Sequence, residues 1–258
     1  MLKRLTLFTS GCILLFTGPL YFASAQEEEE TPDSGFAVES EEAMVEWEPG
    51  SGLNKITTEE EMDGLLKKAE SGDAQAQYDY GVARMRGYLV EKDDENAMEW
   101  MRKAAEQDIE SALNNMGYAC LRGFGMETNA EESVSWFKRS AAKGNHLAQY
   151  ELGQAMMDGA GTSKDLEVGV KWLEKAANGG ITIAQFKLAS AYFNGDGVEK
   201  DYIEAFAWGR LSSRYYAAAG ELIADLHMEL DPKQYKKAKV RAAELKKEVT
   251  AKLEESDD

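Results

Sequence analysis

Histidine and cysteine are almost missing from this chain of 258 residues, which has two of each. The histidines, His146 and His227, stand far apart in sequence, and no His-Glu-x-x-His, Gly-x-Ser-x-Gly or Gly-x4-Gly-Lys-Ser/Thr stretch occurs. The usual signatures of zinc hydrolysis, serine hydrolysis and nucleotide binding are therefore absent, and no catalytic residue, metal or cofactor is expected. Both histidines are read as surface or capping residues. Cys12 falls in an apolar leader, so Cys120 is alone in the remainder and has no partner for an intramolecular disulfide. The fold must be held by its core. Nothing near Cys120 in sequence would lower its pKa, which predicts a partly buried, inert thiol.

Positive charge is scarce as well. There are 29 Lys and Arg against 47 Asp and Glu, a net charge of -18. A nucleic-acid partner is excluded on that ground, because phosphates need a basic footprint. The deficit is partly local: residues 26–54 hold ten acidic residues and no Lys or Arg. With Lys3 and Arg4 ahead of that stretch, a net -10 falls on residues 55–258. That moderate acidity favours solubility.

The leader runs from Met1-Leu2-Lys3-Arg4 through an apolar stretch, Leu5 to Phe22, to Ala23-Ser24-Ala25. This order predicts a secretory signal peptide over residues 1–25, cleaved after Ala25. Two alternatives stay open. Ser10-Gly11-Cys12 would suit acylation of Cys12, although Thr9 stands where such signals usually carry Leu. A retained anchor is the other, since about 20 apolar residues can span a bilayer. Cleavage predicts a periplasmic or secreted protein whose mature chain does not span a membrane. Residues 26–56 then form an acidic linker with the composition of a disordered tether. It carries Phe36, Val38, Met44, Val45 and Trp47, which could dock a partner or fold back into a groove.

What the chain does have is a period. Trp100, Trp136, Trp172 and Trp208 are each 36 residues apart. The same step relates Ala69, Ala105, Ala141 and Ala177; Ala76, Ala112, Ala148 and Ala184; Ala83, Ala119, Ala155 and Ala191; and Gly87, Gly123, Gly159 and Gly195. Gly81, Gly117, Gly153 and Ala189 make a fifth column, and Asp93, Asn129, Asp165 and Asp201 a sixth. Repeats of this length mark stacked supersecondary units. The small residues recur about one helical turn apart, where they let two helices approach closely. The glycine after them ends the first helix. The Asp or Asn that follows caps the second, with full capping boxes expected at Asn129 to Glu132 and Asp201 to Glu204. Each unit is thus helix, Gly-rich turn, helix. The Gly-x-Gly turns follow helices, not strands, which removes a dinucleotide fingerprint, and tryptophans in register with alanines are read as core packing.

The third unit, Ala148-x3-Leu152-Gly153, Gly159-Ala160-Gly161, Asp165 and Trp172-x3-Ala176-Ala177-x2-Gly180, resembles the Sel1-like repeat family, relatives of tetratricopeptide repeats. The resemblance implies an all-α, right-handed α-solenoid, with four 36-residue repeats over 69–212. It implies a scaffold for protein or peptide partners in the cell envelope and no enzyme. Leu89 departs from the pattern at the second turn glycine of the first unit, and Ala189 at the helix glycine of the fourth. The open ends of a solenoid need closing. A capping box at Thr58 to Glu61 starts an N-terminal capping helix over 57–68, and Asp231-Pro232-x-Gln234 starts a closing helix after a degenerate first helix, Ser213 to Glu229. Residues 213–258 are assigned to that end, with Glu254 to Asp258 as a frayed acidic tail.

Stacked helical hairpins line their concave groove with the first helix of each unit. At about 100° per residue, the least apolar stripe of these helices contains Gln75, Asp79 and Arg86; Asn115, Tyr118 and Arg122; Glu151, Gln154 and Asp158; and Lys187 and Asn194. Val82, Ser111, Leu147, Ile183 and Ser190 share it. This is the candidate partner-binding groove. The competing readings are a cell-envelope hydrolase acting on peptidoglycan or β-lactams and a carbohydrate-binding module. The first is attributed to secreted members of the family in which paired cysteines clamp each repeat, and those pairs are absent here.

Overall fold

A computed structural model describes residues 53–256 of the chain. The leader, Cys12, the acidic linker up to residue 52 and residues 257–258 lie outside the described residues. Among the described residues a 3-10 turn, Leu53–Lys55, precedes eleven helices: α1 (Glu59–Glu70), α2 (Ala74–Arg86), α3 (Asp94–Glu106), α4 (Glu110–Arg122), α5 (Ala130–Ala142), α6 (His146–Asp158), α7 (Leu166–Asn178), α8 (Thr182–Asn194), α9 (Tyr202–Ser212), α10 (Ala217–Glu229) and α11 (Pro232–Ser256). No strand occurs among the described residues.

The chain is an all-α solenoid in which α2, α4, α6 and α8 are first helices and α3, α5, α7 and α9 second helices. The local chemistry that sets each boundary recurs with the period. Asp73, Asp93, Asn129, Asn145, Asp165 and Asp201 each accept an amide of the first turn through their side chains. Gly87, Gly123, Gly159 and Gly195 end the first helices in the left-handed region. The capping box of α1 is complete, with Glu61 N donating to Thr58 Oγ1 and Thr58 N to Glu61 Oε2, both at 3.2 Å. α11 starts with the same reciprocal arrangement between Asp231 and Gln234.

The two boxes expected at Asn129 and Asp201 form only by half. Their caps accept Glu132 N at 3.1 Å and Glu204 N at 3.1 Å, but the glutamate carboxylates are drawn elsewhere. Glu132 binds Arg102 and accepts from Trp136 Nε1, and Glu204 accepts from Arg241 Nε at 2.6 Å. A guanidinium from another helix outcompetes a local amide, because the charge-assisted bond is the stronger one.

The second glycine of each turn shows how closely units stack. A Cβ at Gly125, Gly161 or Gly197 would lie 2.2 Å from the carbonyl oxygen of Asp94, Ala130 or Leu166, the first residue of the second helix one unit earlier. In the first unit Leu89 holds the same left-handed geometry at φ 55 and packs against the N-terminal core.

The core runs along the stack in three linked clusters, one from Leu53 to Trp136, one from Tyr118 to Val249, and one joining Ala205, Phe206, Ile223, Leu226, Leu230 and Ala238. The closing helix α11, 25 residues long, packs along α9 and reaches α7 with its last turns. Leu245 and Val249 share a cluster with Trp208, and Lys252 Nζ donates to Asn178 Oδ1 at 2.6 Å. Glu254 and Glu255, expected to fray, belong to this helix. No helix among the described residues is long and apolar enough to cross a membrane.

Candidate partner-binding face

The first helices stand side by side, so their 36-residue columns become rows running across the stack. The row of Asp79, Asn115, Glu151 and Lys187 is flanked by the row of Val82, Tyr118, Gln154 and Ser190. The residues read from the sequence as one stripe are therefore brought to one face, but at different depths. Gln75, Arg86, Asp158 and Asn194 are exposed, and Arg122, Glu151, Gln154 and Lys187 half-buried. Asp79, Asn115 and Tyr118 are buried, as are Val82 and Ile183. An angular stripe drawn on an isolated helix misses its neighbours: Tyr118 packs edge-on against Phe137 of α5 with ring centroids 5.0 Å apart, and Asn115 reaches Tyr78 of α2.

The buried members are polar and mutually engaged. Gln75 Nε2 donates to Asp79 Oδ1 at 3.0 Å, and burial holds the Asp79 carboxyl above the usual carboxylate range. Asn115 Nδ2 donates to the Tyr78 hydroxyl at 3.2 Å. Burial, with the neighbouring Glu151 carboxylate adding to it, pushes the Tyr118 hydroxyl far above its ordinary pKa. The Arg122 guanidinium lies 5.5 Å from the Tyr118 ring centroid. Gln154 Nε2 donates to Asp158 Oδ2 at 2.6 Å. Around the junction of α4 and α6 three buried polar atoms lack a hydrogen-bond partner: Asn114 Oδ1, the Tyr118 hydroxyl and Gln154 Oε1. Buried polar atoms are ordinarily paired.

Two contributions to this face were absent from the sequence stripe. Tyr78, Asn114, Tyr150 and Phe186 form a further 36-residue column, and Phe186 stacks on Tyr216 of the C-terminal end with ring centroids 4.8 Å apart. The period itself carries the signal that would have found them.

The remaining chemistry-bearing groups are held by packing. Cys120 is buried, and burial pushes its thiol up to about 11. His146 Nδ1 lies 3.0 Å from Gln149 Oε1, and His227 packs against the rings of Phe206 and Tyr235. Among the described residues no group of His, Cys, Asp and Glu could hold a metal ion. Trp136 and Trp208 are buried, whereas Trp100 and Trp172 are half-buried under the ammonium groups of Lys103 and Lys175, at 4.0 and 3.9 Å from the ring centroids.

Known proteins share this pattern. Sel1 repeats are matched at residues 74–109, 110–145, 146–181 and 182–214. A solved protective antigen of uropathogenic Escherichia coli strains, displaying an SLR fold, is 30% identical over 75% of this chain with a TM-score of 0.63. A solved Sel1 repeat protein from Oxalobacter formigenes is 32% identical over 61% of it with a TM-score of 0.57. This chain covers 42% and 65% of those two chains, less than two thirds of either. No curated protein matches it.

Proposed function

The chain belongs to the Sel1 repeat family, and from that premise we propose that it is an exported, non-catalytic scaffold whose first-helix face holds a protein or peptide partner in the cell envelope. The observation that carries this reading is the shared first-helix face, on which exposed Gln75, Arg86, Asp158 and Asn194 adjoin half-buried Arg122, Glu151, Gln154 and Lys187. Polar and charged groups open to solvent in this way can take up hydrogen bonds and ion pairs from a partner laid across the helices. Export rests on the leader sequence. The description of one similar structure as a protective antigen supports the same placement.

The test is affinity capture from an envelope fraction, comparing the wild type with a chain carrying Arg86→Glu and Arg122→Glu. Loss of a partner that the wild type recovers supports the face; equal recovery of every partner removes it. Turnover of a chromogenic β-lactam, abolished by one polar substitution on this face, would replace the scaffold with a hydrolase.

A further inference from the structure

The basic residues of this acidic chain are concentrated on its closing helix. Residues 232–247, the first part of α11, hold seven Lys and Arg against one Glu, a local charge of +6 where residues 55–258 as a whole carry -10. One side of the helix is spent on the fold: Ala238, Leu245 and Val249 are buried in the core, and the last turns meet α7 in a groove of about 750 Å³. The outward side stays open. At about 100° per residue, Lys233, Lys236, Lys237, Val240, Glu244 and Lys247 fall within one sector of about 100° away from the buried residues, and all six are exposed. Of the other cations, Lys239 lies over the Tyr235 ring, Arg241 binds Glu204 and Glu248, and Lys252 donates to Asn178. None of the ion pairs among the described residues takes Lys233, Lys236, Lys237 or Lys247.

We propose that this open side of α11 is a peripheral docking surface for an anionic phospholipid bilayer. It is separate from the first-helix face and does not depend on the scaffold reading. Charge calls for an anionic occupant, and the kind of charge selects lipid over an acidic protein. Protein interfaces are enriched in Arg and depleted in Lys, whereas the open cations here are all Lys and the one arginine of the helix is tied to Glu204 and Glu248. The four ammonium groups stand on long stems along about 20 Å of helix from Lys233 to Lys247. Headgroups that diffuse in a bilayer can each find one of them, while nothing rigid is offered to a fixed set of carboxylates. Val240, 53% exposed, lies in the middle of the line. It can enter the boundary between headgroups and acyl chains while the lysine stems around it keep their charges in the headgroup layer. The acids of α10, Glu221, Asp225 and Glu229, belong to a helix that packs against α9 and α8. An anionic surface repels the acidic remainder of the chain, so contact is confined to α11 and orients the solenoid.

The test uses the full chain with Cys12→Ser and Val240→Cys, labelled at position 240 with an environment-sensitive nitrobenzoxadiazole dye; Cys120 is buried and escapes the label. With mixed phosphatidylglycerol and phosphatidylcholine vesicles at low salt, the emission is expected to brighten and shift to the blue. It should stay as in buffer with pure phosphatidylcholine, and revert at about 1 M salt, where the screening length falls to about 3 Å. Lys236→Gln, Lys237→Gln and Lys247→Gln together should weaken the titration about a hundredfold, at roughly fivefold for each lysine. The same number of exposed lysines changed elsewhere, Lys67→Gln, Lys68→Gln and Lys138→Gln, should leave it unchanged. A shift of equal size with neutral vesicles, which insertion of the apolar leader alone would produce, overturns the proposal, as does a shift that survives the triple change on α11. Absence of any shift with the anionic vesicles also overturns it, and a shift with poly-glutamate in its place would assign the surface to an acidic protein.

Discussion

Arg139 Nη2, on α5, donates at 2.9 Å to the carbonyl oxygen of Ala105, near the end of α3. Elsewhere the equivalent carbonyl is served by the first helix that follows it. Ala69, Ala141 and Ala177 accept from the side-chain amides of Gln77, Gln149 and Gln185 at 3.1, 3.3 and 3.2 Å. Those glutamines share the 36-residue column with Leu113, which has no donor. The second unit therefore exchanges a polar contact for buried apolar surface at Leu113, and the missing donor comes from its second helix, where Arg139 also binds Asp108 at 2.9 Å.

Arg139→Met should lower stability by about 1 kcal/mol, the usual net worth of a hydrogen bond. Gln185→Leu should cost a similar amount, about 1 kcal/mol, because it leaves Ala177 in the same position. Both are read from urea unfolding midpoints at constant slope. No loss in Arg139→Met would show that the carbonyl of Ala105 is adequately served by its own turn.

Gly161→Ala should be far more damaging. The residue sits at φ 70, and its Cβ would meet the Ala130 carbonyl oxygen at 2.2 Å, backbone that cannot rotate away. Left-handed strain and overpacking together put the loss at about 3 kcal/mol or more. Gly144→Ala, at φ 102 with nothing within 4 Å of the added carbon, has the strain without the clash and should lose less. Thermal unfolding of the pair isolates the stacking contact, and equal losses would deny it.

The contrast between those glycines shows what a single sequence discloses. The period, the caps and the turns were legible because each is a local demand repeated in register: Gly159 must be left-handed and Asp165 must accept an amide whatever lies beyond them. What the sequence hid is set by neighbours in space. Asp79 and Tyr118 fall on a polar stripe and are nonetheless buried, Tyr118 against Phe137 of α5. Glu132 and Glu204 have capping-box spacing, yet Arg102 and Arg241 capture them from 30 and 37 residues away. Nothing in the period of α11 announces that it runs along α9 and builds a groove with α7.

Cys120 should be unreactive until the chain unfolds. Its burial removes access, and a thiol pushed up to about 11 leaves almost no thiolate at neutral pH. Iodoacetamide labelling, followed on the Cys120 peptide by mass spectrometry, is expected to be slow in buffer and fast in concentrated urea. Labelling at similar rates in both would place the second repeat in frequent local opening.

Two carboxyls should respond to pH with opposite signs. Burial raises the Asp79 pKa, so the folded chain holds this proton more tightly than the unfolded one. Stability from this group is present below the ordinary Asp value of about 3.9 and falls as pH rises toward the folded pKa. Glu132 is held below the usual carboxylate range, first by its bond to Arg102, and Trp136 adds to that. Its contribution is present above about 4.3 and is lost as pH falls through the folded pKa. Asp79→Asn should therefore stabilise the chain at pH 7 and lose that advantage in acid, because the amide retains the bond to Gln75 without a buried charge. Glu132→Gln should destabilise at pH 7, with a deficit that shrinks in acid. Urea unfolding of both variants at pH 7 and pH 3.5 provides the comparison. A Glu132→Gln deficit that stays the same at the lower pH would mean that the packing of Trp136, and not the Arg102 ion pair, sets its worth.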